Sequence, residues 1–112
     1  MRTREDIITT ALRRIGVTAH DDAPTADQAL IAGEALDSIY DEVNAEAAIS
    51  WTLAAGVPEI SANSLINLLG VEVAQTFSLP QSQSRGRAFG RLLATIRPDD
   101  RPADESESMD YM

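Results

Sequence analysis

The sequence predicts an all-α protein, a small bundle of about four helices followed by an extended, flexible C-terminal arm. Apolar residues recur at three- and four-residue spacing in separate segments. Capping residues open those segments, and Gly or Pro closes them. The last stretch, DDRPADESESMDYM, is acidic, poor in aliphatic residues and aperiodic, a composition that does not sustain a packed core. At 112 residues there is room for one modest core, with a net stability of about 5–10 kcal/mol. Residues 1–97 are read as the helical domain and 98–112 as the arm.

The first helix is expected to start at Thr3, whose hydroxyl caps the following turn while Asp6 completes a capping-box pattern. Ile7, Ile8, Ala11, Leu12 and Ile15 keep helical spacing. Glu5 and Asp6 suit the positive end of the macrodipole, Arg13 and Arg14 the negative end, and Gly16 is placed to stop the helix. Val17 to Pro24 reads as a loop. Thr25 with Gln28 forms a second capping box, opening the longest periodic segment, ADQALIAGEALDSIYDEVNAEAA. Its expected apolar stripe is Ala29, Leu30, Leu36, Ile39, Tyr40, Val43 and Ala47. Ala26, Ala32, Gly33 and Ala35 are small enough to admit a close neighbour.

Trp51 to Ile60, broken by Gly56 and Pro58, reads as a connection. Ser61 or Asn63 is expected to cap a third helix in which Leu65, Leu68, Leu69, Val73, Ala74 and Phe77 keep helical spacing up to Leu79 and Pro80. Only Glu72 is ionisable between Ser61 and Pro80, so this helix is expected to be buried on most sides, with Gly70 marking a close crossing. A fourth helix follows from Ala88, Phe89, Leu92, Leu93 and Ile96, with Arg85, Arg87 and Arg91 off that stripe and Pro98 ending it.

Charge is sorted along the chain. Between Ile15 and Ser84 there are ten Asp or Glu and no Lys or Arg, whereas between Arg85 and Arg97 there are four Arg and no acid. Surface chosen for solubility alone mixes the signs. The acids of the second helix, including Asp37, Asp41 and Glu42, have no basic partner one turn away in that helix. Arg85, Arg87 and Arg91 are therefore expected to pair with Asp37, Asp41 and Glu42 across a subunit interface. A solvated basic face and a DNA contact are the competing readings of the same arginines. Net charge is −9, with nine Arg and no Lys, which argues against general attraction to a phosphate backbone.

Little in the sequence points to catalysis. His20 is the sole His, there is no Cys, and aromatic residues are few. Asp21 and Asp22 are adjacent without a pocket-forming sheet around them, so no enzyme activity, cofactor or metal site is expected. Asp37 and Asp41 lie one turn apart but lack the converging loop oxygens of a calcium site. No apolar run approaches the roughly 18–20 residues of a membrane span, and Met1 to Gly16 is unlike a signal peptide. The chain is expected to be soluble and unprocessed, with no membrane partner. The bulky Met109, Tyr111 and Met112 at the end of an acidic linker read as an anchor that orders on a partner.

Residues 11–17, ALRRIGV, and the later APTADQALIAGEALDSIYDEV resemble the opening of the small head-to-tail connector, or packaged-DNA stabilisation, proteins of tailed bacteriophages. Ile15-Gly16, Ala23-Pro24-Thr25-Ala26 and Ile39-Tyr40 occupy the places of that family's helix stop, helix start and helix end. The likeness covers roughly the first 50 residues and beyond them rests on helical layout. It implies a structural protein of the virion neck, assembled in a bacterial cytoplasm. Such a protein forms a homo-oligomeric ring of about twelve copies beneath the portal protein, contacts packaged double-stranded DNA transiently, and presents a surface to a downstream tail or nozzle protein. The resemblance makes Arg97, Met109, Tyr111 and Met112 the portal-binding set. A small acidic helical antitoxin or inhibitor that occupies a basic partner remains the alternative.

Overall fold

Four helices form within the described residues, 1–80 and 83–96, of the computed structural model: α1 (Arg4–Arg14), α2 (Ala26–Glu46), α3 (Glu59–Thr76) and α4 (Arg85–Ile96). The all-α expectation holds, and the only pairing outside helices among these residues is an isolated antiparallel bridge between Arg2 and Val57. The expected arm, with Arg97, Met109, Tyr111 and Met112, lies outside the described residues. α3 packs against each of the other helices, and α1 and α2 also pack on each other.

α1 begins and ends as its sequence dictates. The Thr3 hydroxyl accepts from the Asp6 amide at 3.1 Å. The reciprocal half of the box is replaced, because the Asp6 carboxylate takes Arg2 at 2.9 Å. Gly16, at φ +84°, lets its amide reach Arg13 O at 3.2 Å and the Val17 amide reach Leu12 O at 3.0 Å, satisfying two terminal carbonyls. In α2 both arms of the Thr25–Gln28 box form. Gln28 Oε1 also accepts from the buried Thr18 hydroxyl at 3.2 Å, tying the preceding loop to the helix.

α2 ends at Glu46, two residues before the periodic pattern does. The Asn44 side chain accepts from the Ile49 amide at 3.2 Å, and the Tyr40 hydroxyl donates to Trp51 O at 2.9 Å, with the two rings 5.8 Å apart. Both contacts turn the chain back. The core side of α2 is Ala32, Gly33, Leu36, Ile39 and Val43. Leu30, expected in that stripe, is 62% exposed; six residues before Leu36, it points about 120° away around the axis.

α3 starts at Glu59 after Pro58, rather than at Ser61 or Asn63. Pro58 has φ −59°, fixed by its ring, and its carbonyl accepts the Ser61 and Ala62 amides at 3.0 and 2.9 Å; no side chain caps the helix. Ser61 is buried, and its hydroxyl meets that of Thr95 at 3.0 Å, joining α3 to α4. The helix closes at Thr76, short of Leu79. Ser78 adopts φ +57°, and the Leu79 amide returns to Ala74 O at 2.8 Å.

As its scarcity of charge predicts, α3 buries Leu65, Ile66, Leu68, Leu69, Val73 and Ala74. A Cβ on Gly70 would lie 3.2 Å from Ile15 Cγ2, so the absent side chain is what lets the end of α1 cross there. α4 buries Ala88 and Leu92 against the same core, with Phe89, Leu93 and Ile96 half-buried at its edge. Leu69→Ala is expected to lower unfolding free energy by about 2–5 kcal/mol, a large share of the total, measured as a reduced urea midpoint with an unchanged slope.

Candidate functional site

The residues expected to face a neighbouring subunit divide into two groups. Arg85, at the first turn of α4, donates through Nη2 to Glu42 Oε1 at 2.6 Å and through Nη1 to Glu42 Oε2 at 3.2 Å. Its Nε donates to Glu72 Oε1 at 2.5 Å, and its guanidinium carbon sits 5.6 Å from the Phe89 ring centroid. One arginine thus ties α4 to α2 and α3. Hydrogen bonds to Glu42 and then Glu72 hold it still more firmly in the charged state than a free arginine.

Asp37 is also used within the chain. Arg4 donates to both its oxygens, at 3.1 and 3.4 Å, and to Gly33 O at 3.1 Å. A Cβ on Gly33 would lie 2.8 Å from Arg4 Nη2, so the small residue here admits a guanidinium rather than the helix backbone that the sequence suggested. Arg85, Asp37 and Glu42, expected to pair across a subunit interface, are engaged with partners within the chain. The acids of α2 lack basic partners in their own helix, and α1 and α4 supply them.

Arg87, Arg91 and Asp41 form the second group. All three are exposed, and none makes an ion pair among the described residues. Arg87 and Arg91 are one turn apart on α4. Asp27, Glu34 and Asp41 recur every seven residues on α2, and are all exposed. At 3.6 residues per turn this spacing keeps them on one side of the helix. Leu30 lies between the first two of them, three residues after Asp27 and four before Glu34. Sequence reasoning placed Leu30 in the core, and the seven-residue recurrence of the acids was the signal that would have moved it outward. The chain therefore carries a short basic patch on one helix and an acidic stripe with an exposed leucine on another.

Comparison with protein-family models, with curated proteins and with solved structures finds no match to this chain. No group of three potential metal-ligating side chains converges among the described residues, and no described helix is long and apolar enough to cross a membrane. Removing the two kinds of arginine separates their roles. Arg85→Ala is expected to cost about 1 kcal/mol, its half-exposed pairs being partly screened by water. Arg87→Ala and Arg91→Ala should each stay within about 0.5 kcal/mol of the parent, as read by chemical denaturation followed by circular dichroism.

Proposed function

We propose that this chain is a structural head-to-tail adaptor of a tailed bacteriophage, forming a ring under the portal and extending the DNA channel. In that reading it helps retain packaged DNA and offers the attachment surface for the next tail component. The observation that carries the proposal is the coexistence, on one chain, of a basic patch, Arg87 and Arg91, and an acidic stripe, Asp27, Glu34 and Asp41, neither of which is ion-paired among the described residues. A ring is a head-to-tail interface and needs two different, complementary faces on every copy. Leu30 supplies an apolar centre for the acidic face, and a desolvated centre with a charged rim is the usual anatomy of a protein contact.

The family resemblance adds to this through the positions it falls on. Ile15-Gly16 forms the left-handed stop of α1, Thr25 opens α2 through a complete capping box, and Tyr40 anchors the turn after α2. The shared residues are thus those that set helix ends and turns, which a common framework would retain. A net charge of −9 also suits a conduit that passes DNA without holding it, since phosphates meet repulsion rather than a trap.

Portal binding is assigned in this reading to Arg97 and to the apolar Met109, Tyr111 and Met112, where a long acidic linker adds effective concentration to a modest rigid contact. Two experiments test the proposal. Arg87→Glu combined with Arg91→Glu should preserve helix content while abolishing large discrete oligomers, alone or with portal, in sedimentation velocity. Rings of normal size from the double variant would remove the charge-pairing interface, and a parent protein that stays small and ignores portal would favour the inhibitor-like alternative. Deleting Asp104 to Met112 should weaken portal co-sedimentation and leave the urea midpoint unchanged; equal co-sedimentation would remove the anchor.

A further inference from the structure

Leu30 stands out on the acidic face of α2. It is 62% exposed and sits between two exposed carboxylates, Asp27 three residues before it and Glu34 four residues after it, on one side of the helix. An exposed leucine alone is ordinary. A leucine framed by acids that make no ion pair among the described residues has a definite complement: a hollow offering carbon within and a cation at its mouth.

The chain carries such a hollow on a different surface. A cleft of about 330 Å³ lies where the end of α1 crosses α3 and the chain leaves α3. Its lining is at least as polar as apolar: Ile15, Ile66 and Leu79 contribute carbon, while Arg14, Asn67 and Gln83 contribute polar groups. Arg14 is held in a set orientation, because its Nη1 donates to Asn63 Oδ1 and to Asn67 Oδ1, each at 3.0 Å. Amide oxygens fix a guanidinium without neutralising it, and Arg14 makes no ion pair among the described residues. No Asp or Glu is among the described residues of the lining, although the chain has 18 of them. The cleft is a cationic site on an acidic protein.

We propose that Leu30 of one copy seats in this cleft of a second copy, with Asp27 and Glu34 beside it meeting Arg14. Leu30 stands on a helix packed against α1 and α3 and is not part of the cleft in its own chain, so only another copy can bring it there. Charge selects the match: two carboxylates flank the leucine, and the cleft presents an oriented guanidinium with no acid to repel them. Knob and cleft are different surfaces, so the contact is head-to-tail and every copy offers both halves of it. Asp41, fourteen residues beyond Asp27 and about 21 Å further along α2, is the part of the stripe left for Arg87 and Arg91. This inference rests on the head-to-tail reading above and adds to it the pocket that receives the apolar centre of the acidic face.

The chain has no cysteine, so the contact is read by mixing two single-cysteine forms of the full-length protein. One carries Ala26→Cys, one turn before Leu30, and the other Gln83→Cys, on the cleft wall. A short bismaleimide is added with and without portal protein, and products are identified by mass. The dimer joining positions 26 and 83 is expected to form about tenfold faster than one joining Ser38→Cys, exposed about 18 Å further along α2, to Gln83→Cys. Leu30→Ala on the first form, or Arg14→Glu on the second, should each slow the reaction about tenfold. Placing Asp27→Arg and Glu34→Arg on the first form should restore the rate with the Arg14→Glu form, while circular dichroism shows unchanged helix content in each. Copies that associate in sedimentation velocity while the 26–83 product forms no faster than the control, ignores Leu30→Ala or is not restored by the reversed charges overturn this contact and leave the ring reading standing. A parent protein that stays monomeric with and without portal removes both.

Discussion

α3 is too apolar to stand alone in water, and this single constraint organises the molecule. Eighteen residues of α3 contain only two ionisable groups, Glu59 at its first position and Glu72 in its last turns. Most sides of such a helix have to be covered, and three amphipathic helices do it, α1 and α2 together and α4, leaving Ile60, Asn63, Gln75 and Thr76 exposed. The order of elements follows, with two covering helices made before the core helix and one after it. The polar groups on α3 are then placed where covering helices can satisfy them. Ser61 meets Thr95, Asn63 and Asn67 meet Arg14, and Glu72 meets Arg85.

Electrostatics is solved in the same way, between helices rather than within them. α2 is acidic along its exposed length and has no basic residue to offset it. Arg4 from α1 and Arg85 from α4 each cross to an acid of α2, and each also bonds a further acceptor, Gly33 O in one case and Glu72 in the other. Arginine suits this task because its planar fork can serve two acceptors at once, which an ammonium does less specifically. On α2 and α4, Arg87 and Arg91 on one side and Asp27, Glu34 and Asp41 on the other are left without an ion pair among the described residues.

Helix existence was legible throughout, because each of the four segments combines period and punctuation. Starts and stops were legible where a local device set them: Thr3, Gly16 and the Thr25–Gln28 box. They were misread where a device is non-local or unusual. Pro58 opens α3 without a side-chain cap, Ser78 stands in the left-handed region that glycine normally takes, and Asn44 ends α2 by capturing an amide five residues on. The charged residues were legible as a sorted pattern, yet their partners were not. Arg4 and Asp37 are 33 positions apart and Arg85 and Glu42 are 43 apart, and no spacing rule reaches across such separations before the helices are packed.

The two ends of α4 are fastened by different chemistry. Its beginning is held by charge, through Arg85, Glu42 and Glu72, and its end by a neutral hydroxyl pair, Thr95 with Ser61. Raised ionic strength weakens the first attachment and leaves the second nearly untouched. Salt therefore acts on one end of the helix and not the other, while Ala88 and Leu92 between them stay packed in the core. Amide exchange in the first turns of α4 would therefore quicken with salt more than exchange near Thr95.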